Sequence, residues 1–261
     1  MRYFIFSNHD PKSLVLTERI RMFLKDKDAF VFDEDRPELV ISIGGDGRML
    51  NCIRRYIHRL NGTAFIGIST GRLGFLCEYK EDEIDAFLEA LISRTPWYEP
   101  RKMVEFETDG MTDAYLNEFR IERSFHTLIC DVYINGSFFE TFRGNGLNFA
   151  TPTGSSAYNK SLGGPLIHPG ISSYVLGEIA PISHNAYGGL NGFLLLRERD
   201  TVTLKGNFDG CYLGGDTDVR EVRGEREIQV FYGRRSVVFA RYRTIGYIES
   251  VRNSFIRGSE K

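Results

Sequence analysis

Three stretches of this chain combine residue types suited to phosphate and nucleotide chemistry. The first is Gly44-Gly45-Asp46-Gly47, which follows the apolar run Leu39–Ile43 and precedes a helical pattern over residues 48–57. A strand, a glycine turn and a helix allow backbone N–H groups to close around phosphate at a helix N-terminus. Gly44, Gly45 and Gly47 would provide the backbone freedom and the absence of bulk. A carboxylate inside such a cradle is repelled by its ligand unless it holds a metal ion or takes a proton from an attacking hydroxyl. Asp46 is therefore a candidate for one of those roles. Asp is also a good helix cap, and the residues alone leave both readings open. The second stretch is Asn117-Glu118, placed after Ala114-Tyr115-Leu116 in a predicted strand. Adjacent strand side chains face opposite ways, so the two cannot both be core; polar decoration of an edge strand gives the same pattern. The third is Thr151-Pro152-Thr153-Gly154-Ser155-Ser156-Ala157-Tyr158, with four hydroxyls, a rigid proline and an aromatic ring. Hydroxyls bond base and ribose edges, and a ring stacks. Composition by itself favours a plainer account, a Ser/Thr-rich turn capping a short helix over residues 156–162 that is closed by Gly163-Gly164. Arg143-Gly144-Asn145-Gly146 is a further glycine cluster and reads as a bend or bulge.

The elements that must position these residues fall into two kinds. Residues 2–6 read as an opening strand, and Asp10-Pro11 as a helix N-cap with proline at the first helical position. Leu14, Leu16, Ile20, Phe23 and Leu24 form a helical stripe as far as Lys25. A third buried strand spans residues 64–68, and residues 81–91 form an amphipathic helix with Ile84, Phe87, Leu88 and Leu91 on one side. Strands alternating with helices predict a parallel sheet covered by helices. The pattern changes near Trp97. Asp109-Gly110 and Asn135-Gly136 are hairpin signals, with residues 132–134 expected to pair with Phe138-Phe139. Residues 200–204, 227–232 and 237–243 again read as strands. The fold class is thus an α/β N-terminal domain with a parallel sheet plus a mostly antiparallel, β-sandwich-like C-terminal domain. The expected divisions are residues 1–98, 99–243, and a tail at 244–261 that returns to the first domain.

Composition sets outer bounds. A hydrophobic fraction of 42% and a charged fraction of 26% are those of a soluble globular protein. A net charge of −2, with scattered basic residues, gives no electrostatic case for nucleic acid. Cys52, Cys77, Cys130 and Cys211 form no C-x-x-C pair, which argues against zinc. With no signal peptide and no long apolar span, the expectation is reduced thiols in a cytoplasmic protein away from membranes.

Taken together, Gly44-Gly45-Asp46-Gly47, Asn117-Glu118 and the run from Thr151 through Gly164-Pro165 resemble the NAD kinase family. Weaker agreement lies at Arg143-Gly144-Asn145-Gly146 and Ala180-Pro181-Ile182. The GGDG element alone is shared with lipid kinases and phosphofructokinases; the long third stretch is not. The resemblance implies transfer of the γ-phosphoryl of ATP, or of polyphosphate, to the adenosine ribose 2′-hydroxyl of NAD, assisted by a divalent cation, Mg²⁺. It implies Asp46 as the catalytic base and Gly44, Gly45, Gly47 and Arg48 beside phosphate. It further implies Asn117, Glu118, Ser156, Ala157, Tyr158 and Ser161 on the nucleotide, with Thr153, Arg143, Asn145 and Ala180 as lesser contacts. It implies a homodimer or homotetramer in which Asn145 and Ile182 approach the nucleotide across a subunit contact. Two positions depart from the family pattern: Arg48 stands where most relatives carry threonine, and Asn145 where many carry aspartate. The alternatives are a lipid or sugar kinase of the GGDG type and a catalytically weak NAD(P)-binding sensor.

Overall fold

The computed structural model describes residues 1–183 and 187–256. The chain divides into two units, Met1–Arg101 with Val237–Lys261, and Lys102–Ser236.

In the first unit, strands β1 (Arg2–Ser7), β2 (Val31–Phe32), β3 (Leu39–Ile43), β4 (Ala64–Ser69) and β5 (Tyr79–Lys80) pair in parallel, in the order β2-β1-β3-β4-β5. Every residue of β3 and β4 is buried. That follows from apolar runs without alternation, which need cover on both faces of the sheet. Helices α1 (Pro11–Leu24) and α3 (Ile84–Ser93) share one cluster with Ile5, Ile41 and Ile66. Helix α2 (Asp46–Arg55) packs on the other face, where a side chain on Gly67 would collide with Cys77 and Met49. Asp10 caps α1 as its sequence predicts, accepting from the Ser13 N–H at 3.0 Å, with Pro11 at the first helical position. Residues 238 and 239 pair in parallel with Ala64 and Phe65, and helix α5 (Tyr247–Val251) and a π-helical turn (Arg252–Ile256) follow. Of the tail expected at 244–261, residues 257–261 lie outside the described residues.

The chain enters the second unit within β6 (Trp97–Thr108) and leaves it within β17 (Glu225–Arg241). Between them run β7 (Met111–Tyr115), β8 (Glu118–Glu122), β9 (Leu128–Ile134), β10 (Ser137–Gly144), β11 (Gly146–Ala150), β12 (Ser173–Ile179), β13 (Phe193–Arg197), β14 (Val202–Asn207), β15 (Cys211–Gly215) and β16 (Asp218–Val222). One antiparallel layer has the order β10-β9-β14-β17, and β6 pairs with β7; the other runs β13-β12-β11-β8-β15-β16. Both layers contribute to one core that includes Phe106, Phe119, Phe142, Phe149 and Val230. Asp109-Gly110 and Asn135-Gly136 take positive φ at both residues and close the hairpins β6–β7 and β9–β10, as type I′ turns require. Tyr133 pairs with Phe138, and the register then slips by one residue at Phe139.

Three sequence expectations need correction. Asn117 is not in a strand but in a bend between β7 and β8. The strands predicted over 227–232 and 237–243 are one continuous strand, β17. The helix predicted over 156–162 breaks at Ala157 (φ −94°, ψ −125°), leaving a 3₁₀ turn (Gly154–Ser156) and a single-turn helix α4 (Tyr158–Ser161). Among the described residues no helix is long and apolar enough to cross a membrane.

Candidate functional site

The predicted site residues fall into two sets, one in each unit. In the first unit α2 begins at Asp46, with Gly45 as the capping residue and no side chain capping it. The Asp46 carboxylate does not serve as a helix cap. Its Oδ2 accepts the Phe75 N–H at 2.8 Å and its Oδ1 accepts the Leu76 N–H at 3.1 Å. Gly74 packs so closely that a Cβ there would lie 2.3 Å from Oδ2. The turn Gly74-Phe75-Leu76 therefore orients this carboxylate. The sequence reading missed these three residues, because a backbone donor leaves no mark in residue type.

Gly44 donates its N–H to the Ile68 carbonyl at 2.9 Å, and its own carbonyl accepts from the Cys77 thiol at 3.5 Å. Gly45 and Gly47 are exposed, and a Cβ on either would meet nothing within 4 Å. Among the described residues no packing demands glycine at these two positions. Arg48 turns back toward β1: its guanidinium lies 4.0 Å from the Phe6 ring centroid and donates to the Ser7 carbonyl. Among the described residues no group of three or more His, Cys, Asp or Glu is placed to hold a metal ion.

In the second unit the site residues interlock. Asp216 accepts the N–H groups of Leu116 and Asn117 at 2.7 and 2.8 Å, which holds the bend. Thr151 ties the third stretch to that bend. Its N–H donates to the Asn117 carbonyl at 2.9 Å and its hydroxyl to the Leu116 carbonyl at 2.6 Å. Gly154 then lies against Asn117 with no space for a Cβ, which would fall 2.0 Å from the Asn117 oxygen. Ser155 donates its hydroxyl to the Pro152 carbonyl at 2.7 Å and accepts the Ile167 N–H at 2.9 Å; the Ser156 hydroxyl donates to the Thr153 carbonyl at 3.2 Å. Much of the hydroxyl content thus builds the turn. Thr153 is buried, Ala157 and Tyr158 are half-buried, and Ser161 is exposed. Asp216 follows Gly214-Gly215, a second G-G-D in the chain, which was the available signal for it.

Glu118 is buried, and its Oε2 has no hydrogen-bond partner among the described residues. Burial, then the neighbouring Asp216 charge, pushes its carboxyl up to about 7, against a smaller pull from Arg120. The Arg120 guanidinium lies 4.2 Å from the Tyr158 ring centroid, so it covers one ring face, while its other end binds Glu122 at 2.6 Å. The two weaker stretches also meet. Asn145 donates its N–H to the Ile179 carbonyl at 2.9 Å, and Ile182 donates to the Arg143 carbonyl at 2.7 Å. Asn145 Nδ2 donates to the Arg123 carbonyl at 3.2 Å, a bond that an aspartate there could not make. The Arg143 guanidinium lies 4.5 Å from the Tyr187 ring centroid, and Ala180 takes a left-handed conformation (φ +45°).

The arrangement offers an oriented carboxylate beside an open glycine turn, and a braced polar cluster with an aromatic ring. Known proteins resemble this chain along most of its length. Residues 7–95 match the ATP-NAD kinase N-terminal domain and residues 116–187 match the ATP-NAD kinase C-terminal domain. A NAD kinase of Leuconostoc mesenteroides is 31% identical over 98% of each chain. One from Geobacillus stearothermophilus is 36% identical over 97% of this chain and 95% of its own. Among solved structures, yeast NADH kinase complexed with NADH superposes with a TM-score of 0.80 at 19% identity, covering 97% of this chain and 86% of that one. An NAD kinase from Archaeoglobus fulgidus in complex with ATP gives 0.77 at 20% identity, covering 97% and 99%. At those identities the two structures speak for the fold.

Proposed function

The chain belongs to the NAD kinase family, and from that premise we propose how its residues move a phosphoryl group from ATP, or from inorganic polyphosphate, to the adenosine ribose 2′-hydroxyl of NAD. The observation that carries this reading is the pair of backbone bonds from Phe75 and Leu76 to Asp46. They spend the carboxylate on orientation rather than on capping, beside a turn whose exposed glycines leave room for phosphate. Asp46 takes the 2′-hydroxyl proton as the oxygen attacks; the new P–O bond forms in line with the one that breaks, and the shortened donor leaves with the bonding electrons. Most of the catalytic effect in such transfers comes from positioning and charge stabilisation.

Asn117, Glu118, Tyr158 and Ser161 are proposed contacts to the nucleotide, with Thr153, Ser156 and Ala157 shaping the pocket and Arg143, Asn145 and Ala180 at its margin. Arg48, docked on Phe6, acts on phosphate only after leaving that ring, so we assign it to bracing β1 against α2. No protein cage for a cation is present among the described residues. Mg²⁺ suits that setting, because it keeps its waters and binds through one or two carboxylates plus substrate phosphates. Bound through donor phosphates, it would supply charge neutralisation on the transferring group. The enzyme is proposed to work as a homodimer or homotetramer in the cytoplasm. The test is incubation of the purified protein with NAD, ATP and Mg²⁺, with NADP read through an NADP-specific dehydrogenase. NADP formation is expected; phosphorylation of a lipid or sugar without NADP would replace this reading.

A further inference from the structure

The turn that aims Asp46 is fixed from two flanks. Phe75 and Leu76 donate to the carboxylate, and those two N–H groups keep their direction only if the chain around them is held. On one flank the Cys77 thiol and the Glu78 N–H donate to the carbonyls of Gly44 and Gly67, at 3.5 and 2.9 Å. The other flank is supplied by residues 241–255, which the chain reaches only after running through the second unit. Glu78 is fully buried, and a buried carboxylate needs bonds to offset its lost hydration. Its Oε1 finds them in the backbone of that return, accepting the Tyr242 and Arg243 N–H groups at 2.9 and 3.0 Å, while its Oε2 faces the Arg241 guanidinium at 3.6 Å. Arg243 Nε donates in turn to the Glu78 carbonyl at 3.0 Å, and its guanidinium grips Glu83 through bonds of 2.6 and 2.7 Å. Farther along, Tyr247 of α5 and Phe255 of the π-helical turn pack on the Phe75 ring, at 6.3 and 5.7 Å between centroids. This C-terminal arm therefore holds the turn at both ends, at Phe75 and at Glu78.

We propose that the C-terminal arm is a positioning element for the candidate base, in which Glu78, Tyr247 and Phe255 set the rate by holding the Phe75 and Leu76 N–H groups on Asp46. The effect on rate rests on the kinase reading; the bracing of the turn does not. Residues 1–101 carry both the glycine turn and the two donors, yet the carboxylate is aimed only once the chain has returned from the second unit. The arm acts through the turn and takes no proton or phosphoryl group itself. Its loss is therefore a loss of kcat rather than of substrate affinity.

The test uses the full chain. Phe255→Ala is the decisive variant, because its ring is 40% exposed and its truncation removes a surface contact rather than core. A shift of about 1 Å in a reacting group costs on the order of 10²-fold in rate. Loss of one of the two ring contacts to Phe75 is expected to lower kcat about tenfold, with KM for NAD and ATP within about twofold of wild type, and Phe255→Leu to recover most of the loss. Glu78→Ala should lose at least as much, and Glu78→Gln, whose oxygen still accepts both N–H groups, should stay near wild type. A double-mutant cycle separates positioning from a general structural role. In an Asp46→Asn background Phe255→Ala should change the residual kcat by less than about twofold; the same tenfold loss there, or KM rising in place of a fall in kcat, overturns the proposal. Hydrogen exchange at the Phe75 and Leu76 amides reads the turn without turnover and is expected to quicken about tenfold in Phe255→Ala. Equal exchange in variant and wild type overturns the proposal even in a preparation that makes no NADP. Faster exchange with no NADP from wild type upholds the bracing and overturns the kinase reading alone.

Discussion

Asp46 is held by two donors, Phe75 N–H and Leu76 N–H, and this sets what its variants do. An asparagine has only one oxygen there, so its amide group must face one of those donors. Asp46→Asn is expected to lose roughly 10²–10⁴-fold in kcat as a positioned base is removed, with NAD affinity by calorimetry changing far less. Turnover within a few-fold of wild type would end the catalytic role. Gly47 separates space for a ligand from space for the fold. Nothing lies within 4 Å of a Cβ there, and alanine favours a helix over glycine by about 1 kcal/mol. Gly47→Ala should therefore raise the melting temperature while lowering kcat/KM; equal activity would mean that no phosphate passes this turn. Glu118 carries a pH signature. Its folded-state carboxyl titrates at about 7 against an ordinary 4.5, because of burial and then Asp216. Its contribution to stability is full below 4.5 and is lost as pH rises through about 7, by about 3 kcal/mol at most. Denaturation of Glu118→Gln across this window should give a flatter profile than wild type. Parallel profiles would show that Glu118 does not titrate there.

At the scale of elements, the candidate site residues of the second unit depend on a bend rather than on a strand. A strand through Asn117 would leave the Asp216 carboxylate without its donors; instead Asp216 draws the Leu116 and Asn117 N–H groups to itself. Gly154 and Thr151 then seat on the Asn117 carbonyl. Asp216→Ala leaves two backbone donors without a partner, at a cost on the order of 1–3 kcal/mol. It should weaken NAD binding together with the denaturation midpoint, although Asp216 is assigned no contact to the nucleotide. Loss of stability with intact affinity would show that the bend is not part of the site. The break at Ala157 has a related cause. Asn159 anchors the following loop by donating to the Pro165 carbonyl at 3.0 Å, and Ser155 is already bonded to Ile167, so a regular helix through 156–162 would pull against both.

For the whole molecule, uncovered apolar side chains along three strands argue for self-association. Ile129, Phe138 and Phe139 on β9 and β10, and Leu195 on β13, are exposed, and exposed strand edges invite pairing. We expect light scattering to report a homodimer or homotetramer, and NAD affinity to fall as the protein is diluted toward monomer. A monomer that binds NAD as tightly as the concentrated protein would reject a shared site and leave the kinase assignment standing.

What the sequence by itself determined is whatever rests on local chemistry. The β3–glycine turn–α2 unit, the Asp10-Pro11 cap and the two positive-φ hairpins at Asp109-Gly110 and Asn135-Gly136 follow from neighbours in the chain, and so were legible in it. The Gly44–Gly47 and Thr151–Tyr158 stretches pointed to nucleotide chemistry only through their joint resemblance to a family, because taken singly a helix cap and a Ser/Thr-rich turn call for the same residues. Only the tertiary structure decided how each side chain is used. Asp46 is anchored from a turn some thirty residues away, and the Asn117 bend from Asp216, some hundred residues away. Arg48 is drawn onto Phe6, and Arg120 onto Tyr158. These partners are chosen by backbone donors, ring faces and burial that exist only once distant segments pack, and no residue type announces them in advance.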